Sequence, residues 1–199
     1  MSKEEKEQPV EKEAEEVSIA QLLQEATQSM RSVMLFGDVD EERIADIIAG
    51  LIMLCEEKKP STETIKMYVS TNGGNADDMF ALYDMMSAAK KSCIIETIGL
   101  GKVMSAGVLL LAAGTKGHRK IGKNCRVMIH SCNAGNIGDY HNLKNEMAQI
   151  QDLQEKFVQC LVAETSLSSS QLNKLLDRKV NIYLTAEEAI EYGIADEIF

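Results

Sequence analysis

The sequence predicts an α/β protein in which a mainly parallel sheet is covered by helices, and two observations carry that prediction. From about residue 32 onward, short apolar runs bounded by glycine or polar clusters alternate with stretches whose apolar residues recur at helical spacing. The helical stretches run to ten residues or more, the length of crossover that brings a chain back parallel to the strand it left.

The elements follow in order. Residues 32–36 form the first apolar run, closed by Gly37. Asp40 can cap a helix on which Ile44, Ile47, Ile48, Leu51 and Leu54 share one face, ending before Pro60. A second strand is expected at 65–71, then a helix capped by Asn75 and carrying Met79, Leu82, Tyr83 and Met86. A third strand at 94–100 leads into a small, apolar helix at 105–113. Strands at 117–122 and 126–130 come next, then a long amphipathic helix from about 139 to 164 with Leu143, Met147, Ile150, Phe157 and Leu161 on its apolar stripe. Ser168 can cap a shorter helix, and Thr185 with Glu188 forms a capping box for the last one. No tandem repeat accompanies this alternation.

Ahead of the domain, residues 1–16 are mostly Glu, Lys and Gln. Such a segment buries too little apolar surface to offset the entropy of ordering it, so it reads as a flexible acidic tail or propeptide before one domain at 17–199. A helical pattern marked by Ile19, Leu22, Leu23 and Met30 connects the two.

Composition narrows the function classes. A formal charge of −10 with scattered Lys and Arg argues against nucleic-acid binding, which needs clustered cations. The chain contains neither an apolar run of membrane-spanning length nor a basic and apolar secretory leader, and its Glu-rich start is unlike a transit peptide. The five cysteines form no CxxC pair, which argues against a disulfide framework or a zinc site. A cytoplasmic protein without metal or cofactor is expected.

Three glycine-marked or strand-end junctions carry the chemistry, at the place where α/β sheets bind ligands. The run Thr71-Asn72-Gly73-Gly74-Asn75 can turn backbone N–H groups toward a developing negative charge, and a plain turn also accounts for it. In Gly99-Leu100-Gly101-Lys102-Val103-Met104-Ser105-Ala106-Gly107 a serine stands at a strand-to-helix turn, either as an N-cap or as a nucleophile. A GxSxG elbow is excluded, since Val103 stands where that motif needs glycine. Arg126-Val127-Met128-Ile129-His130 ends a strand on a histidine, either structural or basic in function. His118 and His141 sit among polar residues and read as surface positions. Together the junctions offer what acyl transfer requires: a serine, a base and N–H donors for an oxyanion.

These residues resemble the ClpP family of caseinolytic serine peptidases over about residue 33 to the C-terminus. Gly114-Thr115-Lys116-Gly117-His118-Arg119 followed by Asn124-Cys125-Arg126-Val127-Met128-Ile129-His130 is similar to the family's histidine region. Met104-Ser105-Ala106-Gly107 is similar to its serine turn, Gly73-Gly74 to its oxyanion loop, and the run from Ala186 to Asp196 to its C-terminal signature. The resemblance implies a fold of the ClpP/crotonase kind, with a protruding handle at about 131–165 that pairs two stacked heptameric rings into a 14-mer. It implies Ser105 as nucleophile, His130 as general base, and the N–H groups of Gly74 and Ala106 as oxyanion donors. Gly73, Gly135 and Asn136 fall at substrate-binding positions. Unfolded polypeptide delivered by an AAA+ unfoldase is the implied substrate.

The match departs from the family in places. Asn181 falls where the family has the triad aspartate, Asp177 lying too early, and the residues imply that it orients His130 without adding charge. Val180 replaces an arginine, Asn72 a proline, and Lys66 an aromatic position of the unfoldase cleft, where Tyr68 is kept. Two other readings therefore stay open: a catalytically weak structural or regulatory subunit of a mixed ring with a paralogue, and a phage-type ClpP-like maturation protease. An acyl-CoA enzyme of the crotonase fold is a more distant one.

Overall fold

The computed structural model describes residues 30–56 and 64–199. The acidic stretch at 1–16, the helical pattern through Ile19, Leu22 and Leu23, and Pro60 lie outside them.

Among the described residues, seven strands form one sheet: β1 (Ser32–Phe36), β2 (Thr64–Thr71), β3 (Ile94–Met104), β4 (Arg119–Ile121), β5 (Arg126–Ile129), β6 (Ile182–Leu184) and β7 (Glu197–Ile198). Six helices of the described residues are interleaved with them: α1 (Glu41–Glu56), α2 (Ala76–Ala89), α3 (Ala106–Ala112), α4 (Tyr140–Glu164), α5 (Ser169–Leu176) and α6 (Ala186–Glu191). The main path runs β1-β2-β3-β4-β7 and is parallel throughout. Among the described strands only the β5–β6 pair is antiparallel. The expected α/β architecture is the one observed.

β3 is the organising strand. Its first half pairs with β4, Thr97 opposite Arg119, and its second half with β5, Met104 opposite Met128. The register against β2 shifts between these halves, with Val69 opposite Gly99 but Thr71 opposite Val103. Gly101, at φ +63°, supplies the left-handed step such a bulge needs. The strand expected to stop at residue 100 therefore bends and continues to Met104, delivering Ser105 to the sheet edge shared with β5.

Helix starts follow the local chemistry. Asn75 accepts from the N–H groups of Asp77 and Asp78, Asp139 from those of His141 and Asn142, and both capping boxes form, Ser168 with Gln171 and Thr185 with Glu188. Helix α3 is apolar all round and buried on every side, as a helix enclosed between a sheet and other helices must be. On α4 the apolar stripe divides in two. Phe157 and Leu161 are buried, whereas Met147 is 66% exposed, because only the C-terminal half of the helix packs on the domain. The handle protrudes, as expected.

The C-terminal end of α4 is anchored by buried charge. The Arg119 guanidinium donates to the carbonyls of Glu164 (2.7 Å) and Ala112 (3.3 Å) and pairs with both carboxylate oxygens of Asp196. Lys116 Nζ adds a second cation on the Glu164 carbonyl at 2.7 Å. These donors satisfy helix-end carbonyls that have no partner within the helix. Burial alone would raise the Asp196 carboxyl, but hydrogen bonds from Arg119, its charge and the Gly117 N–H outweigh that and hold it below its usual value.

Candidate active site

Ser105 occupies the single-residue turn between β3 and α3 with φ +55° and ψ −122°, a conformation that a residue with a Cβ rarely adopts. Such backbone costs on the order of 1–3 kcal/mol and persists only where the surroundings impose it. Here the Ser105 N–H donates to the Met128 carbonyl at 2.8 Å, tying the turn to β5. The hydroxyl makes no capping hydrogen bond to α3. It lies 2.8 Å from His130 Nε2 instead.

His130 follows the last residue of β5. Because β5 runs parallel to β3 and in register with its end, the histidine and the serine emerge side by side at the same sheet edge. Both are half-buried.

The glycine loop closes the third side. Thr71 ends β2, and its hydroxyl accepts from the Gly73 N–H at 2.9 Å. Val39 makes an isolated parallel bridge to Gly74, donating to the Gly73 carbonyl and accepting from the Asn75 N–H. The bridge occupies the groups on either side of Gly74, which leaves Gly74's own N–H directed away from Val39. Ala106 is the first residue of α3, so its N–H has no acceptor within the helix. Gly73, at φ +98°, admits no side chain: a Cβ there would sit 2.5 Å from Ser105 Cβ. The loop thus lies directly against the Ser105 side chain.

A cleft of about 590 Å³ opens over these groups, lined by Gly73, Gly74, Ser105, Ala106 and His130, with Met79, Leu153 and Phe157 giving it apolar walls. Its volume is in the range of sites that hold small ligands. Two wall residues, Met79 and Phe157, read in the sequence as ordinary core positions. Cys132 also lines the cleft and was not singled out by its sequence context. The signal was present, since residues two apart on an extended chain face the same side.

Other sequence candidates are placed differently. The β5–β6 register pairs Val127 with Leu184, Met128 with Tyr183 and Ile129 with Ile182, and Asn181 and His130 each lie one residue beyond the last pair. Asn181 is exposed, and among the described residues the hydrogen-bond partner of His130 is Ser105. Asp177 is the C-cap of α5. Gly135 and Asn136 lie on the exposed segment before α4 and do not line the cleft. Tyr68 is half-buried beside exposed Lys66 on β2. The cysteines are free thiols, and burial raises that of Cys125 to about 11. Among the described residues no helix is long and apolar enough to cross a membrane.

Comparison with known proteins identifies the family. The chain matches the Clp protease family over residues 12–199. It is 35% identical over 170 residues to ATP-dependent Clp protease proteolytic subunit 2 of Corynebacterium jeikeium, covering 85% of this chain and 78% of the relative. Proteolytic subunit 1 of Corynebacterium diphtheriae is equally similar, at 35% over 170 residues with the same two coverages. Proteolytic subunit 3 of Nocardia farcinica is 35% identical over 171 residues, covering 85% of this chain and 75% of that one. With the match extending from ahead of the first strand through the serine turn, the histidine strand and the glycine loop to the last residue, the chain belongs to the Clp protease family.

Proposed function

We propose that the chain is a serine endopeptidase subunit of a self-compartmentalised Clp-type protease, with Ser105 as nucleophile and His130 as general base. The 2.8 Å contact between His130 Nε2 and Ser105 Oγ carries the reading. Nε2 takes the hydroxyl proton as Oγ attacks the scissile carbonyl, which requires the neutral ring to hold its proton on Nδ1. The carbonyl oxygen becomes an oxyanion and accepts from the N–H groups of Gly74 and Ala106. Collapse of the adduct expels the amine, protonated by Nε2, and water repeats the sequence to release the acyl group from Ser105. Asn181, not bonded to His130 in this structure, takes the role of orienting the imidazole through Nδ1–H once the two close up in the assembled, substrate-bound site, and it lends no charge to the imidazolium. Peptide hydrolysis that disappears in Ser105→Ala supports this function; hydrolysis that survives the substitution contradicts it.

Assembly is part of the proposal. Ile137 (99% exposed), Tyr140 and Met147 leave the protruding half of the handle apolar and uncovered, which suits pairing with a second ring. On the sheet, Met34 and Phe36 are exposed and Met34 pairs with half-buried Tyr68, which suits docking of an unfoldase that delivers unfolded protein. A second reading, a catalytically weak subunit that completes a mixed ring with a paralogue, is favoured by exposed Asn181 at the third position. Activity that appears only when a paralogue is co-assembled would select it.

A further inference from the structure

We infer that Gln154 is a positioning residue for His130, acting from the handle helix through the backbone of Cys132. The inference rests on the reading of His130 as general base. The sheet itself stops short of the histidine: the last ladder partner on β5 is Ile129, opposite Ile182. Beyond it, two side chains hold the strand end. Ser131 Oγ donates to the carbonyl of Leu176, the last residue of α5, at 3.1 Å. The Cys132 N–H donates to Gln154 Oε1 at 2.7 Å. His130 and Cys132 both line the cleft beside Ser105, so a tie at Cys132 sets the course of the segment that aims the imidazole.

The remainder of the Gln154 amide identifies what this residue is for. Its Nε2 is buried with no hydrogen-bond partner among the described residues, an arrangement that costs stability. The oxygen must face Cys132, since that N–H needs an acceptor, and the amide nitrogen is thereby turned to an unpaired side. A methionine or leucine would fill the same space without an orphan donor. The acceptor is therefore the useful part of the side chain. Gln154 also follows Leu153 directly, and Leu153 and Phe157 are walls of the cleft. The packed half of α4 thus contacts the site through its apolar walls and holds the histidine segment through one hydrogen bond. Asn181, exposed and not bonded to His130, leaves that segment more dependent on the tie.

The test compares Gln154→Met, which keeps volume and loses the acceptor, with Gln154→Glu, which keeps the acceptor. Three quantities are measured on the full assembled chain: the rate of Ser105 labelling by a fluorophosphonate, the thermal midpoint, and amide exchange in the peptide spanning 130–133. Loss of one neutral hydrogen bond from the reactive geometry is expected to slow labelling of Gln154→Met by about tenfold, with faster exchange at Cys132. Gln154→Glu is expected to label within about threefold of wild type, by the same reasoning about a retained acceptor. Faster exchange with an unchanged labelling rate in Gln154→Met reduces Gln154 to a packing role and overturns the inference, as does a Glu variant as slow as the Met variant. A wild-type chain that is not labelled at all defeats the serine-nucleophile reading itself, and exchange then reports separately whether the tie holds the loop.

Discussion

Asn181 and His130 each lie one residue beyond the last pair of the β5–β6 ladder, Ile129 opposite Ile182, and no hydrogen bond joins them. An aspartate at that place would accept the Nδ1 proton and stabilise the imidazolium; asparagine supplies at most the acceptor. In a chymotrypsin-type enzyme the aspartate-to-asparagine change lowers turnover about 10⁴-fold, which bounds the effect. Asn181→Asp is expected to raise kcat on a short peptide ester by at least about tenfold, within that bound. Steady-state kinetics on the purified variant check this, and an unchanged kcat removes Asn181 from the site.

Gly73 and Ser105 meet too closely for any side chain at 73. Gly73→Ala would place its Cβ 2.5 Å from Ser105 Cβ and force a side chain into φ +98°. The substitution is expected to abolish measurable peptide hydrolysis and to lower stability by about 1–3 kcal/mol. Urea titration and initial rates separate the two effects, and retention of wild-type activity would show that the glycine loop stands off the nucleophile.

The ion pair between Arg119 and Asp196 holds β4, the C-terminal segment and the end of α4 together. Asp196→Asn leaves the buried guanidinium without its counter-charge and is expected to cost about 1–3 kcal/mol, less than breaking a fully buried pair because Asp196 itself is exposed and solvent screens it. The sign with pH follows from the lowered carboxyl. Its contribution is complete above the usual unfolded value of about 3.9 and is lost as pH falls below that through the folded value. Wild type should therefore lose more stability than Asp196→Asn between about pH 4 and pH 2 in equilibrium denaturation.

In the proposed assembly, exposed Met147 on the handle contacts the second ring. Met147→Lys is expected to shift the assembled particle toward half its mass in sedimentation velocity, with the thermal midpoint of the remaining species little changed. Unaltered mass would place ring pairing elsewhere.

Much of this organisation was legible in the residues. The caps at Asp40, Asn75, Ser168 and Thr185 mark helix starts by local chemistry, and each forms as read. The adjacency of Ser105, His130 and the Gly73–Gly74 loop was legible through the family resemblance, since four separate motifs recur in order. What escaped depends on partners distant in sequence. The continuation of β3 past Gly101 is decided by pairing with β5, and the short strands β6 and β7 exist only through β5 and β4. The split stripe of α4 was hidden as well, because a periodicity reports which side of a helix is apolar and not how much of its length is covered. The tie from Gln154 to Cys132 spans 22 residues and leaves no local trace.

The most direct test of the serine–histidine site is intact-protein mass spectrometry after fluorophosphonate treatment of wild type, Ser105→Ala and His130→Ala, each confirmed as folded and assembled. One adduct on wild type that is absent from Ser105→Ala and strongly reduced in His130→Ala is the predicted result. No adduct on assembled wild type, or an adduct indifferent to His130, would contradict it and leave the chain as a structural member of its ring.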